Sequence, residues 1–364
     1  MGLPLYLRAW LTTAGLAADP FGFSGGLGPI PLDQRPEGGT GWMASADCGD
    51  CHPAQLRQWN DSRHHRAFTN DLFQAGLIAE PMAFCVNCHA PTAPQVAEVL
   101  PNLPAYAALA PRGVPGPVPA LLPEPRAADG VGCAACHLRD GAVLSAGPEA
   151  PAAPHPIRIE PSFGTAAACR ACHQFLAPDR PSAPRWWMQS TWAEWQISVP
   201  DGDPDCLDCH MKGGDHAMTG AHDLERLRGA LEVRPVPGGL RLTAQGVGHR
   251  LPTGDLFRAI TVEIARGEAV PAASARAEGW EELWRAGRRF SAVEGPDGAL
   301  HKQPIEDSRL WPDQPVFVPL PDQPGLSWRV RYHYGAPHDL LRGLAPLEAW
   351  VLTLSDGRLP LPSR

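Results

Sequence analysis

Five copies of a Cys-x-x-Cys-His motif lie between residues 48 and 210 of this 364-residue chain and use every cysteine in it. Two thiols at this spacing can add to the two vinyl groups of one haem, and the imidazole that follows can then bind the haem iron. The sequence therefore predicts five covalently attached c-type haems. The predicted attachment points are Cys48, Cys51, Cys85, Cys88, Cys133, Cys136, Cys169, Cys172, Cys206 and Cys209, and the predicted proximal ligands are His52, His89, His137, His173 and His210.

Zinc sites, redox dithiols and disulfides also use Cys-x-x-Cys pairs, but none of them needs a histidine directly after the second cysteine. The chain has only 14 histidines. A histidine would follow a given cysteine pair by chance in roughly one case in 26, so five such histidines by chance are of order one in ten million. Haem attachment is therefore the favoured interpretation of the motifs.

The cysteines also indicate where the chain divides. All ten precede residue 210, and a chain of this length exceeds the usual size of one domain. We predict an N-terminal segment over residues 1–44, a pentahaem domain over 45–228 and a second domain over 229–364. The 42 prolines and 37 glycines indicate long irregular connections, such as the Pro-rich stretch 91–128, while residues 53–68 have the pattern of a helix.

From residue 231 onward the hydrophobic pattern changes to the alternation typical of β-strands. Alternating apolar positions, bounded by Gly or Pro, occur in five segments: 240–244, 260–264, 316–318, 330–334 and 350–354. The predicted fold class is mixed: a loop-rich, mainly α multihaem domain is followed by a small antiparallel β-sandwich domain.

Charge and cofactor chemistry limit the partners and the compartment. The formal net charge of -8 omits the haem propionates, so nucleic acid is excluded as a partner in this interpretation and a basic redox partner is favoured. Bacteria and archaea attach haem to such motifs outside the cytoplasmic membrane, which predicts a periplasmic or extracellular protein. Residues 1–18 form an apolar stretch that is interrupted by Arg8, so we expect either a truncated start or an atypical export signal. This stretch is too short to span a membrane.

The function of each iron depends on its sixth ligand, and nine histidines remain for that position: His64, His65, His155, His216, His222, His249, His301, His333 and His338. Imidazole on both faces of an iron gives a low-spin haem that transfers electrons and binds no substrate. His64 follows His52 by twelve residues, a rise of roughly 18 Å along a helix, so the two cannot bind one iron. His216 and His222 lie in a Gly-rich stretch that permits tight turns. The favoured distal ligands are His64, His155, His216, His222 and His249, with His65 as the substitute for His64; a methionine could serve one iron instead.

Several segments resemble the multihaem cytochrome c family that includes the nitrifiers' tetrahaem cytochrome and the octahaem tetrathionate reductases. The resemblance covers roughly residues 45–260. Its segments are Cys48–Phe68, Phe84–Pro91, Gly130–Cys133, Cys169–Phe175, Gln189–Trp195, Cys209–Met211, Gly220–Asp223 and Gly248–Gly254. It implies that His64, His155, His222 and His249 are distal ligands, with His216 as the fifth. The chain has no Cys-x-x-Cys-Lys motif, so the lysine-ligated catalytic haem of the reductases in this family has no counterpart here.

The sequence is thus interpreted as an exported pentahaem electron-transfer cytochrome with closely spaced bis-histidine haems, working with a redox donor and acceptor. Two alternatives remain. A subunit of an extracellular cytochrome filament would take one distal histidine from the next protomer. A reductase of a nitrogen or sulfur oxyanion would leave one iron five-coordinate.

Overall fold

A computed structural model describes the conformation of residues 43–79, 81–104, 125–139, 141–148, 152–177, 186–266, 279–294, 300–335 and 350–359. The chain divides into two compact units. The first takes the described part of Met1–Pro178 together with Asp201–Thr219, and the second takes the described part of Asp179–Pro200 together with Gly220–Arg364. This division places Asp179–Pro200 with the later strands, whereas the sequence places them in the 45–228 domain. The domain bounds drawn from the sequence remain a prediction.

The first unit is built from short helices joined by turns. Its α-helices are α1 (Ser45–Gly49), α2 (Pro53–Asp61), α3 (Asp71–Ala79), α4 (Ala83–His89), α5 (Ala93–Val99), α6 (Cys133–His137), α7 (Arg170–His173) and α9 (Cys206–His210). Single 3-10 turns cover Leu100–Asn102, Ala127–Asp129, Pro161–Gly164, Ala166–Cys169 and Lys212–Gly214. A small sheet of β1 (Leu138–Arg139), β2 (Ala142–Ser145) and β3 (Ile157–Ile159) has β2 at its centre, antiparallel to β1 and parallel to β3; β4 (Gln174–Leu176) follows α7.

An apolar cluster lies around α3, α4 and α5. Its buried members are Phe68, Leu77, Val86, Ala90, Val96, Val99 and Ala127, with Phe73, Ile78, Cys85 and Leu103 packed against them. The second Cys-x-x-Cys-His motif forms most of α4. The second motif therefore lies against a conventional side-chain core.

Two local predictions differ from the structure. The predicted helix 53–68 ends at Asp61, because Ser62 is extended (ψ 162°) and its N–H bonds to the carbonyl of Trp59 at 2.8 Å. The predicted loop 91–128 contains helix α5. The Thr92 and Gln95 side chains satisfy the free N–H groups at its first turn, and Pro94 lies near the start of the helix, where it needs no N–H partner.

The second unit contains β5 (Trp187–Ser190), α8 (Thr191–Ser198), α10 (Leu224–Gly229) and two antiparallel sheets. The strands of the sheets are β6 (Leu231–Val236), β7 (Gly239–Ala244), β8 (Ala259–Ala265), β9 (Glu281–Glu294), β10 (Leu300–Asp307), β11 (Val316–Pro319), β12 (Ser327–His333) and β13 (Val351–Arg358). One sheet has the order β10-β9-β8-β12-β13 and the other β11-β7-β6. All five predicted strand segments lie largely within strands, while the sandwich arrangement of the two sheets stays a prediction.

The five-stranded sheet buries a cluster of charges at its centre. Glu263 on β8 lies opposite Arg329 on β12, and its Oε2 accepts from Arg329 at 2.7 Å and from Arg331 at 3.2 Å. The two guanidinium groups are almost completely buried, and Arg329 also lies 4.2 Å over the ring of Trp280. One buried carboxylate thus balances two buried cations.

Replacing Glu263 with Gln is expected to lower the free energy of unfolding of the second unit by about 3–5 kcal/mol, because it removes the carboxylate charge that pairs with two buried guanidinium groups. Denaturant unfolding followed by tryptophan fluorescence measures the change. Glu282→Gln is the matched control, since Glu282 pairs with Arg285 near the surface and should contribute less than about 1 kcal/mol. Equal effects of the two substitutions would contradict this account of the cluster.

Candidate haem-binding site

Each Cys-x-x-Cys-His motif lies on or just after a short helix of the first unit. The second, third and fifth motifs end α4, α6 and α9, whereas the first begins in the last turn of α1 and the fourth runs from a 3-10 turn into α7. A helical turn places residues three apart on one side of the backbone. The two thiols of a motif therefore face in similar directions, as two thioether bonds to one porphyrin require.

No disulfide joins any of the ten cysteines. The Cys48 thiol donates a hydrogen bond to the Cys133 thiol. This bond, together with burial, raises the pKa of Cys48, and the same bond lowers the pKa of Cys133 to about 7 against the effect of burial. The Cys169 thiol donates in the same way to Cys206, so the pKa of Cys169 is raised and that of Cys206 is lowered. The first motif is therefore the neighbour of the third, and the fourth is the neighbour of the fifth.

A clip of polar side chains fixes the first motif beside the third. The Ser45 hydroxyl donates to Asp129 at 2.8 Å and accepts from the N–H of Cys133 at 3.0 Å. Gly132 permits the close approach, because a Cβ there would lie 2.2 Å from the Asp129 carboxylate. Sequence reasoning missed Ser45 and Asp129, since two residues 84 positions apart carry no local signal of their contact.

Three histidines outside the motifs lie opposite motif histidines at a common separation. The ring centroids are 6.5 Å apart for His52 and His155, 6.4 Å for His173 and His64, and 6.2 Å for His137 and His216. A metal–nitrogen bond is about 2 Å long and a ring nitrogen lies about 1.1 Å from the imidazole centre, so two imidazoles on opposite faces of one iron have centroids about 6.3 Å apart. The three separations fit that geometry.

Backbone carbonyls accept a hydrogen bond from one ring nitrogen of five histidines in the predicted ligand set. The Nδ1 atoms of His89, His137 and His210 bond to the carbonyl oxygens of Ala67 (2.7 Å), Leu144 (3.0 Å) and Thr219 (2.7 Å). Those of His216 and His249 bond to the carbonyl oxygens of Gly214 (2.8 Å) and Arg250 (3.0 Å). Such a bond fixes Nδ1 as the donor and leaves Nε2 as the nitrogen with a free lone pair, which is how metal-binding histidines are oriented.

Burial keeps these imidazoles neutral, as ligation requires. Burial lowers the pKa of His64 to about 4, assisted by the charges of His210 and His89. Burial also lowers the pKa of His137 and of His249. A neutral imidazole presents a lone pair to a metal at neutral pH.

The two remaining predicted distal ligands lie in the second unit. The ring of His222 stacks on Tyr334 at 4.2 Å and 9°, and the Tyr334 hydroxyl donates to the carbonyl of Ala221 at 2.6 Å. His249 precedes Arg250, whose guanidinium lies 4.1 Å over Trp311 and pairs with Asp307 at 2.8 Å. Both residues are thus held by local contacts, and their assignment as ligands stays a prediction.

The other histidines are placed elsewhere or lie outside the described residues. His65, the predicted substitute for His64, packs its ring 4.3 Å from Trp59 and bonds through Nδ1 to the carbonyl of Asn60. His333 bonds through Nε2 to the hydroxyl of Thr261 at 2.9 Å. The side chain of His301 and the whole of His338 lie outside the described residues.

The donor set fits haem better than a single metal ion. Among the described residues, no three or more His, Cys, Asp or Glu side chains group as they would around one ion. Free thiol pairs next to facing imidazole pairs are what a covalent porphyrin with two axial ligands requires. No helix in the described part of the chain has the length and apolar run that crossing a membrane requires.

Comparisons with known proteins support the class that the motifs predict. The family model described as cytochrome c554 and c-prime matches residues 47–105, which contain the first two motifs. A penta-heme cytochrome c552 from Thermochromatium tepidum has a similar structure, with a TM-score of 0.56 and 19% sequence identity over 88% of this chain and 99% of that chain. At this identity the likeness establishes a shared fold. The search of the curated proteins finds no match. The family match and the fold together support a multihaem c-type cytochrome.

Proposed function

We propose that this chain is a pentahaem electron-transfer cytochrome in which each iron is bound by two histidines. The observation that carries the proposal is the set of three imidazole pairs, each joining a motif histidine to one outside the motifs at 6.2–6.5 Å. In motif order, sites 1, 3 and 4 are assigned to the pairs His52 and His155, His137 and His216, and His173 and His64. His89 and His210 are the motif histidines of sites 2 and 5, and His222 and His249 are the remaining predicted distal ligands.

The protein's own part is to hold the ligands and keep water away. Haem bound at such a site supplies a reversible one-electron couple. Two imidazoles fixed by short loops and carbonyl bonds need little rearrangement when the charge of a site changes. A closed coordination shell also leaves no iron position for a substrate, which favours a carrier over an enzyme.

Contacts between motifs support rapid transfer within the chain. The thiol contacts of Cys48 with Cys133 and of Cys169 with Cys206 support a close approach of sites 1 and 3 and of sites 4 and 5. Burial raises the pKa of Cys136 to about 11, and the charge of Cys172 adds to the shift, so the third and fourth motifs are also proposed to be neighbours. In this proposal sites 1, 3, 4 and 5 follow one another in that order.

The wider setting follows from this chemistry. The chain is proposed to act in the periplasm or outside the cell, where c-type haem is attached, and to exchange electrons with protein partners. The acidic balance of -8 favours a basic docking surface on the partner. The filament and reductase alternatives each require a site that lacks a distal imidazole from the same chain.

Carbon monoxide binding to the dithionite-reduced protein, read alongside the EPR spectrum of the oxidised protein, tests the proposal. Five low-spin haems per chain and no carbon monoxide adduct are expected, since every sixth position is filled. A high-spin signal with one adduct per chain would favour the reductase. An open site in monomers that disappears on polymerisation, seen by electron microscopy, would favour the filament subunit.

A further inference from the structure

His64 differs from five other described histidines of the site in the partner of its second ring nitrogen. In His89, His137, His210, His216 and His249 the Nδ1 atom bonds to a backbone carbonyl at 2.7–3.0 Å. The Nδ1 atom of His64 instead contacts the thioether sulfur of Met218. A thioether is a weak hydrogen-bond acceptor, whereas a carbonyl oxygen is a strong one.

Met218 has an unusual backbone conformation. Its φ is +47°, in the left-handed region that non-glycine residues seldom adopt. The carbonyl of the next residue, Thr219, accepts the Nδ1–H of His210 at 2.7 Å. The loop thus serves two sites at once: the backbone of Thr219 orients the proximal ligand of site 5, and the side chain of Met218 covers the distal ligand of site 4.

The hydrogen bond at Nδ1 controls how strongly an imidazole donates to a metal. A carbonyl or carboxylate acceptor raises the basicity of the ligand. A more basic ligand stabilises the ferric state over the ferrous state and so lowers the reduction potential. A thioether at the same place leaves the imidazole less basic and the potential higher.

We propose that Met218 is a positioning residue that raises the reduction potential of site 4 by denying His64 a carbonyl acceptor. This inference rests on the proposed function, because it requires His64 to bind the iron opposite His173. Site 4 is then expected to hold an electron more readily than site 3, whose proposed ligands His137 and His216 both bond to backbone carbonyls.

Two substitutions of similar length separate this role from packing. Met218→Gln offers an amide carbonyl to the Nδ1–H of His64 without adding charge. It should shift the oxidation equilibrium of site 4 about tenfold toward the ferric state. For a one-electron couple this corresponds to a reduction potential about 59 mV lower. Met218→Leu keeps the apolar volume and offers no acceptor. The oxidation equilibrium of site 4 in this variant should therefore stay within about twofold of that of the parent protein.

Redox titration of the intact holoprotein, monitored by EPR of the individual low-spin signals, measures these shifts. A downward shift of one signal in Met218→Gln and none in Met218→Leu supports the proposal. Equal shifts in both variants, or no shift in Met218→Gln, overturn it. The variant His64→Ala tests the ligand assignment separately from the role of Met218. If all five haems stay low-spin in that variant, His64 is not a ligand, and the ligand set under the proposed function fails as well.

Discussion

Replacing His64 with alanine is expected to convert one haem per chain from low-spin to high-spin while all five haems remain attached. Its ring centroid lies 6.4 Å from that of His173, and the methyl group of alanine cannot reach an iron held by His173. The thioether bonds at Cys169 and Cys172 keep the porphyrin in place without the distal ligand. The EPR spectrum should gain one high-spin signal, and the reduced variant should bind one carbon monoxide per chain.

His65→Ala is the matched control, because His65 is the adjacent residue of the same type. Its ring packs on Trp59 and its Nδ1 bonds to the carbonyl of Asn60, so the control should retain five low-spin haems. A high-spin signal from His65→Ala together with an unchanged spectrum from His64→Ala would exchange the roles of the two residues. Unchanged spectra from both would exclude this segment from ligation.

Removing both thiols of the third motif, in the double variant Cys133→Ala and Cys136→Ala, is expected to have the largest effect on the protein. The intact mass should fall by one haem, beyond the loss of two sulfur atoms. The third motif also contacts the first through Cys48 and through the Ser45 and Asp129 clip. Loss of its porphyrin removes packing beside a motif whose Ala134 and Ala135 lie in the core, so the first unit should unfold at a lower denaturant concentration.

Asp50→Asn provides the control for haem attachment, because Asp50 lies between the two thiols of the first motif and is exposed. This variant should retain five haems and parental stability. A double cysteine variant that still carries five haems would show that the third motif binds none. One that loses a haem without any loss of stability would show that the porphyrin is not part of the core.

The fold was predictable where a local pattern decides the structure. The alternation at Ile260, Val262 and Ile264 marks β8, whose side chains are all buried. Strand β9 (Glu281–Glu294) was missed because charged residues interrupt its apolar positions. Helix α5 was missed because the prolines around it suggest a loop, although Thr92 and Gln95 form a capping signal that was present in the sequence.

The site was predictable in its residue types and not in its pairings. The motif spacing identifies thiols and proximal histidines because attachment chemistry is local. Tertiary structure decides that the rings of His52 and His155 face each other. His155 lies just before β3, and β3 runs parallel to β2, which follows the third motif. No sequence separation reports such a contact. The role of Met218 was equally hidden, since it depends on a sulfur atom reaching a ring 154 residues away.

The intact mass of the acid-denatured, reduced protein tests the central claim most directly, because thioether-bound haem stays with the chain when axial ligands and weakly held metals are lost. The account predicts the polypeptide mass plus five haems, with no free thiol left to alkylate. A mass equal to the polypeptide alone, with ten thiols that react with an alkylating reagent, would contradict it.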